Sequence, residues 1–71
     1  MTRDEHIQWC KQRALLELEQ SIKNAMASLL SDLSKHPETQ NHPGIIIGME
    51  RLFKGELSTY VKMKAFIDRI D

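Results

Sequence analysis

An all-α fold follows from three observations on this 71-residue chain. The stretch from Thr2 to Ser34 contains no proline or glycine and repeats its apolar residues at the helical period. Two shorter segments after residue 42 repeat that period between turn-forming residues. No run alternates apolar and polar residues as a half-buried strand would. The predicted architecture is a small single-domain bundle over residues 1–71. It has a helix over about 3–34, a connector over 35–42, and further helices over about 43–54 and 59–70.

The first helix opens on a capping box: the Thr2 hydroxyl accepts from the Glu5 amide while the Glu5 carboxylate reaches back. Asp4 and Glu5 also complement the positive end of the helix dipole. Ile7, Cys10, Ala14, Leu15, Leu18, Ile22, Ala25, Met26, Leu29 and Leu33 then fall on one side at about 100° per residue. The unbroken phase predicts one helix. Ser21 offers a second N-cap, however, and a break near residues 19–21 brings the lengths closer to the usual 11–12 residues. Both readings stand at this stage. Trp9 and Leu16, seven residues apart, lie together on the opposite face, with Ala27 further along. A bent or broken helix carries them into the core. On a straight helix they form an anchor for a protein partner or a second copy of the chain, because tryptophan is enriched at binding hot spots.

Lys35-His36-Pro37 ends the helix, since the residue before proline is pushed out of the α region. After the polar connector, Pro43 suits the first turn of the next helix, with His42 or Asn41 before it. Gly55 suits the left-handed position that closes this helix. Ile45, Met49, Leu52 and Phe53 form its expected buried face, flanked by Ile46. Gly48 marks a close backbone crossing against the long helix. Ser58 or Thr59 caps the last helix, whose expected apolar face is Tyr60, Met63, Phe66, Ile67 and Ile70, with Leu57 leading in.

Size and charge narrow the function. A chain this short is marginally stable alone and usually needs a disulfide, a metal or a partner chain. A single cysteine excludes an internal disulfide and fits a reducing compartment. The N-terminus is charged and lacks the apolar core of a signal peptide. No stretch approaches the roughly 20 apolar residues of a membrane span. A cytoplasmic location without membrane attachment is expected. Ten basic residues balance ten acidic ones, and neither half of the chain is basic, which argues against nucleic acid as a partner.

The chemistry-bearing residues are few. His6 and Cys10 are one helical turn apart, a workable spacing for two zinc ligands that His36 and His42 would complete from the connector. Cys10 nevertheless falls in the apolar stripe, where a free thiol packs as a small hydrophobe. No CxxC or HxxxH pair supports a metal, so neither a metal nor a cofactor is expected, and His6 is read as solvated. Carboxylates are scattered near lysines and arginines, as with Glu19 and Lys23 at i,i+4. No phosphate loop, nucleotide fingerprint or Ser/His/Asp arrangement appears, and the expectation is a non-enzyme. The alternative class is a DNA-binding or transcription-regulatory protein. There KGELST would serve as a helix-turn-helix connection and Thr59, Lys62 and Arg69 would face DNA beside Arg51, Lys54 and Lys64. The acidic Glu56, Asp68 and Asp71 interrupt that surface.

Three segments in order, MTRDEHIQWCKQRAL, ASLLSDLSKHPETQNHPGI, and GM followed later by FIDRI, carry a resemblance to a family of small hypothetical proteins encoded by tailed bacteriophages. T-R-D-E-H-I-x-W-C-K and S-D-L-x-K-H-P-E-T are its most specific parts. Family members carry a Gly-Asp-type turn where this chain has Glu19-Gln20-Ser21-Ile22, so the resemblance favours the broken helix. It implies no catalytic residues. It does imply a phage accessory protein in the host cytoplasm, of a kind that often binds and redirects a host or phage protein. The expected function is therefore a helical protein–protein interaction module, with Trp9 and Leu16 as the anchor and His36 and His42 of the connector as a second contact.

Overall fold

The computed structural model describes residues 2–70. Among them are four α-helices and no strand: α1 (Arg3–Leu18), α2 (Ile22–Ser34), α3 (Pro43–Phe53) and α4 (Tyr60–Asp68). The all-α class holds. None of the helices is long and apolar enough to cross a membrane.

The expected single helix over 3–34 is instead an antiparallel hairpin of α1 and α2. The capping box forms as anticipated, with the Glu5 amide donating to Thr2 Oγ1 at 3.2 Å and the Thr2 amide to Glu5 Oε1 at 3.1 Å. The break comes at Ser21, whose backbone is extended (φ −165°, ψ 152°). Its amide donates to the Glu17 carbonyl at 3.0 Å, while its hydroxyl accepts from the Asn24 amide at 2.9 Å. One serine thus closes α1 and opens α2. The apolar phase misleads here because the three residues 19–21 occupy about one helical turn. Two helices folded face to face bury stripes that still read as continuous. The same break places Glu19 at the end of α1 and Lys23 in α2, so they do not form an i,i+4 pair on one helix.

The stripe itself is correctly drawn. Ile7, Cys10, Ala14 and Leu18 of α1 meet Ala25, Met26, Leu29 and Leu33 of α2, all at most 3% exposed. Leu15 and Ile22 pack against this core from its edge. α4 covers it with Met63, Phe66 and Ile67, helped by Leu57 before it and Ile70 after it. Thr59 caps α4 by accepting from the Lys62 amide at 3.2 Å. Lys11 of α1 donates to the Asp68 carbonyl at 3.0 Å, holding a cation at the negative end of α4. Tyr60, expected on the buried face of the last helix, lies in its first turn and is half exposed.

The connector folds into turns. Thr39 is fully buried and donates its hydroxyl to the Leu33 carbonyl at 2.7 Å, satisfying one of the open carbonyls at the end of α2. His42 caps α3 through Nδ1, which accepts from the Gly44 amide at 2.8 Å, and Pro43 follows in the first turn. Gly55, at φ +77°, closes α3. Its amide donates to the Leu52 carbonyl, and the Glu56 amide donates to the Arg51 carbonyl. These are the paired bonds of a glycine-terminated helix end.

Candidate functional site

α3 packs the wrong way round for an ordinary amphipathic helix. Its only buried residues are Gly44 and Gly48, one turn apart on a single edge. A Cβ on Gly48 would stand 3.0 Å from Phe66 Cζ and 3.5 Å from Met26 Cε. One on Gly44 would stand 2.8 Å from Ile70 Cδ1. Backbone therefore fits against α4 and α2 where side chains would not. The close crossing anticipated at Gly48 is real. A Cβ there would meet Phe66 of α4 first and Met26 of α2 next, so the glycine lies against both the last helix and the N-terminal hairpin.

With the glycine edge inward, the large side chains turn outward. Of the face expected to be buried, only Ile45 packs against the core. Met49 is 56% exposed, Leu52 39% and Phe53 95%, with Ile46 beside them at 65%. At 100° per residue Met49, Phe53 and Ile46 lie within one 60° sector, a stripe along the solvent side bordered by Glu50. The physical cause is that Met26, Phe66 and Ile70 already fill the groove α3 lies on, leaving room for a glycine edge alone.

The expected anchors are placed differently. Leu16 is exposed (67%), and Trp9 is 37% exposed. The Trp9 ring is already engaged, stacked on His6 at 5.7 Å between centroids and covered by the Arg13 guanidinium at 4.8 Å. Trp9 and Leu16 sit in two separate shallow depressions that share only Gln12. His36 is half-buried and also stacks on His6, at 4.7 Å between centroids, its Nδ1 accepting from the Glu38 amide at 3.1 Å. His42 is half-buried as the α3 cap. The four residues are not brought onto one surface. Trp9 and His36 instead both stack on His6, on α1.

His6 is buried rather than solvated, at 6% exposure. Its Nε2 lies 2.9 Å from the Asp32 carbonyl oxygen, which can only accept, so Nε2 carries the proton. Cys10 Sγ lies 3.5 Å from the same nitrogen. That nitrogen is thus a donor and not a base aimed at the thiol. Burial raises the Cys10 thiol to about 11, and the nearby Asp32 carboxylate adds to the shift. A fully buried, protonated thiol has neither the access nor the ionisation of a nucleophile. Among the described residues, no cluster of three or more His, Cys, Asp or Glu side chains is grouped to hold a metal ion.

Asp32 is the residue that sequence reasoning passed over. Its side chain is 1% exposed, yet it holds Arg13 Nε at 2.8 Å and Lys35 Nζ at 3.7 Å, with the Ser28 hydroxyl donating at 3.4 Å. This ion pair latches α1 to α2, and Arg13 carries it to the Trp9 face. The sequence signal was an aspartate within an otherwise apolar arc beside Leu29 and Leu33.

The raised thiol makes stability depend on pH. A group whose folded pKa exceeds its unfolded value stabilises fully below the unfolded value, here about 9, and loses that contribution as pH rises towards about 11. Urea melts above and below this window are expected to differ by on the order of 2 kcal/mol more in the wild type than in Cys10→Ala. Equal pH dependence in the two proteins would contradict the burial of a protonated thiol.

No protein-family model, curated protein or solved structure matches this chain.

Proposed function

We propose that this chain is a non-enzymatic protein-interaction module whose contact face is the outward side of α3. The carrying observation is that an 11-residue helix buries two glycines and exposes Ile46, Met49, Leu52 and Phe53. Taking roughly 200 Å² for each such side chain when fully exposed, these four present on the order of 500 Å² of apolar surface. That matches the largest apolar patch of a typical monomer, a patch that is often functional. The buried, protonated Cys10 and the donor role of His6 Nε2 support a binding role rather than catalysis. The resemblance of the three sequence segments supports a phage accessory protein that acts in the bacterial cytoplasm by occupying a host or phage protein.

Binding to duplex DNA through α3 and α4 has less support. Glu56 stands among Arg51, Lys62 and Arg69, and Lys64 is paired with Asp68 at 2.9 Å. Trp9 and Leu16 are the weaker docking candidates, because the Trp9 ring already covers His6.

A photo-crosslinking phenylalanine analogue placed at position 53, and separately at 16, tests this reading in bacterial cells making the protein. Adducts are expected from position 53 and not from 16. The reverse pattern would move the contact face to α1, and no adduct from either would remove the docking role.

A further inference from the structure

Resting on that reading, we infer that the α3 face is covered by a second copy of this chain, packed antiparallel on α3 about a two-fold axis. The first support is area. Homodimer interfaces are about 65% apolar, so on the order of 500 Å² of apolar side chain corresponds to roughly 800 Å² per partner, the standard size of a stable interface. The second is self-complementarity. A two-fold axis crossing α3 between Met49 and Glu50 sets Ile46 of one copy against Phe53 of the other and brings the two Met49 side chains together. This is the isologous pattern that a closed dimer needs. Methionine at the axis adapts to its own image, being unbranched and flexible.

The third support is charge. The chain carries ten positive and ten negative side chains, so two copies meet without net repulsion. The polar border of the stripe is itself mixed, with Glu50 and Lys54 of opposite sign one turn apart and both exposed. Finally, α3 needs cover. Eleven residues are too few for a stable helix in isolation, and its own chain supplies contacts along one edge only. A second α3 supplies the missing side and gives a small domain the partner that chains of this size commonly require.

Light scattering or sedimentation equilibrium over a range of protein concentrations tests this on the wild type, Phe53→Glu and Met49→Glu. Both residues are exposed in the single chain, so the variants are expected to keep the wild-type circular dichroism of the dilute protein. The wild type is expected to approach twice the 8.3 kDa chain mass on concentration, and both variants to stay at the single-chain mass. A wild type that remains a single chain throughout, or a dimer that both variants leave intact, overturns the inference. Adduct mass from position 53 in cells separates this failure from failure of the docking reading. A heavier, unequal adduct would keep α3 as a contact face while excluding the second copy, and no adduct at all would remove both.

Discussion

Leu29→Ala is expected to destabilise the protein by about 3–4 kcal/mol, within the range for leucines deleted from tightly packed cores. Leu29 is 0% exposed in the middle of α2, among Ala25, Met26 and Leu33 of its own helix and facing the α1 stripe. Alanine there removes the apolar contact and leaves a cavity that two helices joined by a three-residue turn cannot easily close. A core of this size supplies only roughly 3–5 kcal/mol in total, so the variant should be substantially unfolded at room temperature. Far-ultraviolet circular dichroism and the urea midpoint measure this directly. Leu29→Met, which nearly conserves volume, should cost less than about 1.5 kcal/mol. A loss for Leu29→Ala as small as that for Leu29→Met would place Leu29 outside the core.

Arg13→Ala is expected to cost about 3 kcal/mol, although Arg13 itself is half exposed. The loss comes from Asp32, whose carboxylate, 1% exposed, would keep only Lys35 at 3.7 Å and the Ser28 hydroxyl at 3.4 Å. Removing one member of a buried pair strands the other, whereas removing both need not. Asp32→Leu alone frees two cations that can rehydrate, at 49% and 65% side-chain exposure, so it should cost less than Arg13→Ala. Adding Asp32→Leu to Arg13→Ala should recover part of the loss. Strict additivity in urea denaturation would show that the two side chains are not coupled.

These two predictions also mark where the sequence was legible. Leu29 could be placed in the core from periodicity alone, as could the rest of the α1–α2 stripe and Met63, Phe66, Ile67 and Ile70. Local rules located the caps, from the Thr2–Glu5 box to Gly55, because a cap depends on residues within one turn. The turn at Ser21 was visible as a cap but not decidable, since a three-residue connection preserves the apolar phase. Asp32 is a tertiary matter, and nothing local says that an aspartate will be buried against Arg13, nineteen residues earlier in the chain.

α3 was misread for a different reason. PGIIIGMERLF is apolar nearly all round, and periodicity cannot say which side faces inward. The expectation followed the large residues, while the space available selected the small ones. Gly44 and Gly48, one turn apart, were the signal for the true inner edge. The stacking of Trp9 on His6 was not legible either, because the burial of His6 depends on its contact with Asp32 of α2.

The orientation of α3 is tested most directly by thiol labelling of Phe53→Cys in a Cys10→Ala background, followed as a function of protein concentration. The outward face predicts labelling in dilute solution at nearly the rate of the urea-unfolded chain, slowing on concentration as a second copy covers position 53. Slow labelling at a dilution where light scattering gives the single-chain mass would mean that Phe53 is packed within one chain, which would contradict the glycine-edge docking of α3 and the contact face built on it.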